Sequence, residues 1–342
     1  METVYDIKSL GFHWELYDPF IFCAHHNDRF PAGKENLGPD PELLAGRNIG
    51  NDFVVRDGFR MYHGDTVPGF PVHPHRGFET VTITLKGLVD HSDSLGAKGR
   101  YGDGDVQWMT AGKGIQHAEI FPLVHQDKEN KLELLQIWIN LPKKNKFVEP
   151  YYKMLWAEDN PVVDHKDDSG KTSKVILIAG TFDDTKAVDP APDSWAATAE
   201  NEVCIWIIEM EPGAQLTLPR AQENVNRAVY YYYGNELKVN NKTIPGYHQA
   251  RLNGSEHVVV QNGKEPSTFL FLQGKPINEP VAQYGPFVMN TRGEIQQAYQ
   301  DYTETRFGGW PWDRHDPVHG TEYRRFATYI DGSEESRTGD QP

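Results

Sequence analysis

The sequence predicts an all-β protein built from two β-barrels in tandem, with one helix late in the chain. Short strand-like segments recur over the 342 residues, and 31 glycines and 23 prolines interrupt them as turns would. From about Asp52 the strand pattern is clear, and Val81, Ile83 and Leu85 alternate with threonines as in a half-buried strand. The pattern restarts in the second half, which therefore resembles a diverged copy of the first.

A polar segment separates the two predicted barrels. Residues 157–174 are rich in turn-forming and charged side chains, a composition typical of a linker. We expect an N-terminal domain over residues 1–156, a C-terminal domain over 174–307 and a C-terminal extension over 308–342. Residues 331–342 are polar and charged, and we expect them to be disordered.

The single predicted helix begins near Thr291. Glu294 follows three residues later, which completes the pattern of a capping box. The residues expected to share its apolar face are Ile295, Ala298, Tyr299 and Tyr302.

Charge and hydropathy exclude some partners. The chain has 34 basic and 49 acidic residues, a net charge of -15, which would repel phosphate backbones, so we expect no direct nucleic-acid binding. No apolar run approaches the roughly 20 residues of a membrane span, and the first residues lack the pattern of a secretory signal. We therefore expect a cytoplasmic protein that does not bind membranes. Cys23 and Cys204 lie in apolar segments and are expected to be buried free thiols.

Two pairs of residues have the spacing of metal ligands. His73 and His75 flank one residue, as do His117 and Glu119, and residues i and i+2 of a strand project from one face. Two such strands would aim three imidazole nitrogens and one carboxylate oxygen into a barrel. That set suits Fe, Mn, Ni, Co, Cu or Zn and leaves positions open for a substrate. We therefore expect one divalent metal ion, held by these four residues.

Each half of this pattern is weak alone. One H-x-H pair can occur by chance at a surface turn, and Pro74 cannot donate a ladder hydrogen bond, so its strand should lie at a barrel edge. The corresponding part of the second half, residues 213–222, has no histidine. Leu216 and Leu218 take alternate positions there, so we expect an apolar core without a second metal.

Four longer segments resemble the pirin family of the cupin superfamily. They are GFPVHPHRGFETVT, HSDSLG, GDVQWMTAGKGIQHAE and GPFVMNTRGEIQQAY, which together span residues 69–299. The resemblance implies two cupin (jelly-roll-like) barrels packed face to face, with a non-haem metal, usually iron, in the N-terminal one. The ligand positions of the family fall on the same four residues, His73, His75, His117 and Glu119.

The resemblance also implies two alternative functions. Some members of the family oxidise flavonols such as quercetin with O2, and others are metal-dependent regulators of transcription factors. Our leading expectation is a quercetin 2,3-dioxygenase-like enzyme acting on a small aromatic substrate and O2, with Glu119 as catalytic base as well as ligand. The alternative is a non-catalytic metal and redox sensor that binds a partner protein.

Several other residues are expected to have supporting or structural roles. By the same resemblance Glu79 is expected to support the metal ligands or to have a structural role, without binding the metal, and His91 is expected to form hydrogen bonds within a loop. Asp103 and Asp105 are expected to be turn residues. The hydrophobic residues expected to line or support the pocket are Phe78, Trp108 and Met109, and those expected to pack on a barrel are Trp310 and Trp312.

Overall fold

A computed structural model describes residues 3–337. Strands dominate, with one α-helix, so the predicted all-β class is confirmed. The strands in chain order are β1 (Val4–Ser9), β2 (His13–Glu15), β3 (Phe20–Phe30), β4 (Gly69–His75), β5 (Phe78–Lys86), β6 (Leu88–Asp93), β7 (Lys98–Gly102), β8 (Val106–Thr110), β9 (Ile115–Ile120), β10 (Asn130–Asn140), β11 (Tyr151–Leu155), β12 (Val162–Lys166), β13 (Thr172–Ala179), β14 (Thr181–Phe182), β15 (Thr185–Lys186), β16 (Cys204–Met210), β17 (Gln215–Leu218), β18 (Asn226–Tyr233), β19 (Glu236–Val239), β20 (Lys242–Pro245), β21 (His248–Leu252), β22 (Val258–Asn262), β23 (Ser267–Gly274), β24 (Ala282–Tyr284), β25 (Phe287–Met289), β26 (Arg325–Thr328) and β27 (Glu334–Arg337). The helix α1 is Arg292–Thr305, and the 3₁₀ turns are Pro41–Leu44, Lys143–Asn145, Trp195–Ala197, Ala199–Asn201 and Arg306–Gly308.

The chain folds into two compact units, each made of two segments. Among the described residues, the histidine unit comprises 24–157 and 279–337, and the apolar unit comprises 3–23 and 158–278. The predicted boundaries cut the chain into consecutive pieces instead. The difference arises because β1 at the start of the chain pairs with β21, and β26 near its end pairs with β7.

The histidine unit is a two-sheet barrel. One sheet has the order β27-β26-β7-β6-β9-β4, and the other contains β11, β8, β5, β10 and β3 in that order. The strand β4 lies at the end of its sheet, where Pro71 and Pro74 disturb no ladder on their outer side. The prediction that residues 81–85 form a half-buried strand is wrong in part, because the first seven residues of β5 are all buried, threonines included.

The apolar unit combines the sheet β1-β21-β18-β23-β16-β13-β12 with the smaller sheet β17-β22-β19-β20. Its core is hydrophobic and includes Leu216 and Leu218, both 0% exposed, as predicted for this half. Cys204 belongs to the same core, and both cysteines are buried thiols that form no disulfide.

Helix α1 begins as predicted. The Thr291 hydroxyl accepts a hydrogen bond from the Glu294 amide, and the Glu294 carboxylate accepts one from the Thr291 amide. Ile295 and Ala298 are buried, and Tyr299 and Tyr302 pack beside them.

Three further expectations differ from the structure. Strands β1 to β3 precede the predicted start of the strand pattern, and β12 lies within the predicted linker. Residues 334–337, predicted to be disordered, form β27 against β26. The rest of that predicted segment, residues 338–342, lies outside the described residues.

Candidate metal centre

Three histidines converge in the histidine unit. His73 and His75 lie on β4 and His117 on β9, and the antiparallel register places His73 directly opposite His117. One ring nitrogen from each lies within 4.8 Å of the others. Among residues 3–337 this is the only group of three or more His, Cys, Asp or Glu side chains with such geometry. The two-residue spacing thus produces the convergence that the sequence predicts for these three residues.

Backbone carbonyls orient two of the imidazoles. The Nδ1 of His73 lies 2.9 Å from the Pro71 carbonyl oxygen, and the Nδ1 of His75 lies 3.2 Å from that of Pro286. An Nδ1 that donates to a carbonyl leaves Nε2 with its lone pair for a metal. His117 is fully buried, and neither of its ring nitrogens has a hydrogen-bond partner. Because unpaired buried polar atoms are unfavourable, these residues fit a cation that would accept the free lone pairs.

Burial also sets the protonation of the three histidines. Desolvation lowers the pKa of His73 to about 4 and lowers the pKa values of His75 and His117 well below the ordinary value. Each imidazole is therefore neutral near pH 7, which is the form that binds a metal.

Glu119 lies beside this triad and is held by the facing sheet. Its Oε2 is 3.8 Å from Nε2 of His117. The Gln136 side-chain amide donates to both carboxylate oxygens, at 3.0 and 2.8 Å, and Thr82 donates to Oε1 at 3.3 Å. Burial raises the pKa of Glu119, while the bonds from Gln136 and Thr82 oppose that rise. The predicted fourth ligand is thus adjacent to the triad but outside the 4.8 Å group.

His91 does not lie on a loop, contrary to the sequence-based expectation. It is on β6, opposite Glu119 in the register, and is fully buried. Its Nε2 lies 3.2 Å from Asp93, and its ring stacks on Tyr152 with centroids 4.9 Å apart. The His91 ring is 5.7 Å from that of His117, so it adjoins the triad from the side.

A flat aromatic wall borders the triad. Phe78 and Trp138 stack with centroids 3.9 Å apart, and His75 contacts them edge-on at 5.0 and 5.3 Å. Trp138 was not predicted. It lies two residues after Gln136 on β10, so both side chains project from the same face of the strand. This two-residue spacing is visible in the sequence.

The strand register shows which face of the sheet Trp108 and Glu79 take, which the sequence alone did not determine. Trp108 pairs with Val81 and Glu79 pairs with Thr110, so both lie on the face of their sheet opposite Thr82. Glu79 accepts a hydrogen bond from Thr110 at 2.7 Å. Met109 lies in a separate apolar cluster with Ala111 and Ile115.

Comparison with known proteins gives a consistent match. A family model described as Pirin matches residues 6–139, and one described as Pirin C-terminal cupin domain matches residues 205–308. A pirin-like protein of Solanum lycopersicum is 39% identical over 265 residues, which cover 77% of this chain and 82% of that protein. Pirin-1 of Arabidopsis thaliana is 38% identical over 245 residues, which cover 70% of this chain and 78% of that protein. The chain belongs to the pirin family.

Solved structures extend the match to nearly the whole pirin-family chain. A crystal structure of quercetin 2,3-dioxygenase from Acinetobacter baumannii covers 90% of this chain and 96% of its own, with a TM-score of 0.67 and 28% identity. This likeness supports the cupin-type fold of two domains. Within residues 3–337, no helix is long and apolar enough to cross a membrane.

In this pirin-family chain, residues beside the histidines of β4 and β9 are bonded to helix α1 and to the residues directly after it. Gln116 precedes His117, so its side chain points away from the triad, and its amide donates to the carbonyls of Arg306 and Gly309 at 2.7 and 2.8 Å. Arg76 follows His75 and binds Asp301 at 2.6 Å. Helix α1 and the residues directly after it therefore bind a residue next to two of the three histidines.

The remaining candidates are structural. Asp105 binds Arg325 at 2.7 Å, and Asp103 adopts a positive φ of 48° in the turn before β8, as the turn expectation implies. The Trp312 indole donates to the Asp93 carbonyl at 2.8 Å, which packs it on the histidine unit. Trp310 instead donates to the carbonyl of Arg314, within its own segment.

Proposed function

We propose that this chain is a metal-dependent dioxygenase that oxidises a flavonol-like phenol with O2. The observation that carries the proposal is the cluster of three converging, neutral imidazoles with a carboxylate 3.8 Å from one of them. The likeness to the A. baumannii quercetin 2,3-dioxygenase structure supports the same reaction class.

His73, His75 and His117 would hold the ion, with Glu119 as the fourth ligand. A bound divalent metal, iron in our proposal, would bring the phenolate and O2 together in one dry site. Mn, Ni, Co, Cu and Zn remain compatible with the same donors. The contacts of His73 and His75 with backbone carbonyls would fix the ring orientation before the ion arrives.

The chain's own groups account for substrate binding and proton transfer in this proposal. The stacked rings of Phe78 and Trp138 offer a flat apolar surface beside His75, suited to a planar phenol. Glu119 would accept the proton of the phenolic hydroxyl, which must leave before the oxygen can bind as an anion. Gln136 and Thr82 would keep the carboxylate aimed at the triad.

The decisive experiment is O2 consumption with quercetin. The protein is stripped of metal, reloaded with Fe(II) and assayed with an oxygen electrode, with the stripped protein as control. Uptake of one O2 per quercetin consumed, restored by the metal, is the expected result. Protein loaded in turn with Fe, Mn, Ni, Co, Cu and Zn that consumes no O2 with quercetin or related flavonols in any form would reject this function and favour the metal-sensing alternative.

A further inference from the structure

The histidine unit contains a cavity that the metal site does not use. Its volume is about 430 Å³, within the range of roughly 300–1,000 Å³ typical of small-molecule sites. The turn between β5 and β6, the segment that follows β9 and Tyr323 form its walls. None of the three histidines, Glu119 or their hydrogen-bond partners lines it.

The body of the cavity is apolar. Its apolar walls are buried side chains, each less than 5% exposed: Phe30, Leu88, Phe121, Leu123 and Leu132. One wall is flat, because the rings of His125 and Tyr323 stack with centroids 5.5 Å apart and planes 24° from parallel. Burial lowers the pKa of His125, so this wall is uncharged near neutral pH. Such a surface suits a planar aromatic ring.

Three lysines line the mouth of the cavity, in a chain whose net charge is -15. The cavity lining includes Lys86, Lys128 and Lys131 and two acidic residues, Asp103 and Glu129, and the Lys86 ammonium binds the Glu133 carboxylate at 2.8 Å. The Glu129 carboxylate binds Arg29 at 2.9 Å and Lys131 at 3.3 Å. Asp103 faces inward, where it accepts hydrogen bonds from the Tyr323 hydroxyl and the Gly87 amide.

Part of the lining lies far from the triad along β5, whereas Phe121 lies two residues after Glu119. Strand β5 begins at Phe78, which contacts His75, and ends at Lys86, which lines the cavity; at about 3.3 Å per residue these ends are roughly 26 Å apart. Phe121 is the lining residue nearest in sequence to the ligands. Its ring packs on Phe70 at 6.1 Å.

We propose that this cavity is a second ligand site, which binds a small flat aromatic compound that carries one anionic group. The apolar walls and the His125–Tyr323 stack would take the rings, and the lysines would take the anion at the mouth. The site does not depend on the proposed dioxygenase activity.

The test uses the metal-loaded full chain and 8-anilinonaphthalene-1-sulfonate, a fluorescent aromatic anion. Val124→Trp would fill the cavity with an indole. Val188→Trp is the matched control, since Val188 is also half-buried and lines a cavity of similar size, about 410 Å³, in the apolar unit. We expect one probe per chain, at least tenfold weaker binding for Val124→Trp and unchanged binding for Val188→Trp.

A second experiment tests whether the lysines at the mouth bind the anionic group of the ligand. A Lys128→Gln/Lys131→Gln variant should weaken binding of the sulfonate about fivefold, given about 0.5 kcal/mol for each exposed charge pair. The uncharged analogue N-phenyl-1-naphthylamine should bind this variant as it binds the original. Equal effects on both probes would overturn the anionic part of the proposal.

If Val124→Trp does not fold, hydrogen exchange of the unaltered protein, measured with and without the sulfonate, locates the binding site instead. The sulfonate should slow exchange in residues 121–132 and leave residues 186–190 unchanged. Probe binding that survives Val124→Trp, or protection that avoids residues 121–132, would overturn the site.

Discussion

The hydroxyl of Tyr302 donates a hydrogen bond to the side-chain oxygen of Gln116 at 2.9 Å, which joins helix α1 to the strand that carries His117. With the two carbonyls that its amide reaches, Gln116 has three partners in a nearly buried position, 4% exposed. Side chains alternate along β9, so this contact lies on the face opposite the triad. The helix can therefore influence the position of His117 without touching it.

Gln116→Ala should destabilise the protein and weaken the metal site. It leaves the Arg306 and Gly309 carbonyls and the Tyr302 hydroxyl without their partner, which should lower the free energy of unfolding by about 2 kcal/mol. Metal affinity should fall about tenfold, the lower end of the effect of residues that support ligands. Urea unfolding and a competitive chelator titration measure the two quantities.

The matched control is Gln300→Ala. Gln300 is exposed on α1 and binds Glu304 at 2.8 Å, so its loss should change the unfolding free energy by less than about 0.5 kcal/mol. Equal losses for the two variants would show that Gln116 has no special role.

His117→Ala should remove most of the metal, whereas His91→Ala should retain it. His117 belongs to the triad, while His91 is 5.7 Å from it and binds Asp93. Metal content by elemental analysis after dialysis, with circular dichroism as a check on folding, separates the two. If His91→Ala strips the metal as thoroughly, our assignment of the ligands is wrong.

The protein should hold one metal per chain, in the histidine unit. In the apolar unit, Leu216 and Leu218 occupy the alternate positions that ligands would need, and both are fully buried. Elemental analysis should give about one tightly held ion. A second ion that survives His73→Ala would contradict this prediction.

The metal-free protein should lose stability as the pH falls from about 6.5 to about 4. Burial lowers the pKa of His73 from 6.5 to about 4, so the unfolded chain binds a proton in this window that the folded chain does not. Stability rises with pH wherever the unfolded state binds more protons, so acid is destabilising here. The contribution of His73 is at most about 1.4 kcal/mol per pH unit.

Comparison of His73→Phe with the original protein isolates the contribution of His73 to the pH dependence of stability. His73→Phe should show a shallower dependence of the unfolding free energy on pH between 4 and 6.5. Parallel curves for His73→Phe and the original protein would show that His73 is not held neutral by burial.

Local patterns predicted the features that depend on neighbours in sequence. Alternation placed His73, His75 and His117 together, and the capping box set the start of α1. His91 was misassigned because the Ser and Asp residues after it resemble a turn, although pairing with β9 extends the strand through them.

Long-range features were not accessible from the sequence. The Pro286 carbonyl that orients His75 is 211 residues away, and a backbone oxygen has no sequence signature. Gln136 reaches Glu119 from the facing sheet, and only the register reveals which face it takes. For the same reason the pairing of β1 with β21 was not predicted, because strand patterns do not encode their partners.

Glu119→Gln should retain metal on the three histidines and lose most flavonol oxidation. An amide of the same shape cannot accept the phenolic proton, and a lost general base typically lowers the rate about 10²–10⁴-fold. Glu79→Gln is the control. Glu79 is a buried glutamate that accepts a hydrogen bond from Thr110, and it lies on the face of its sheet opposite Thr82, the residue that bonds Glu119. Metal content and O2 uptake are measured on the same preparations. A metal-replete Glu119→Gln protein with near-normal turnover would leave Glu119 as a ligand only, because the proton would then have another acceptor.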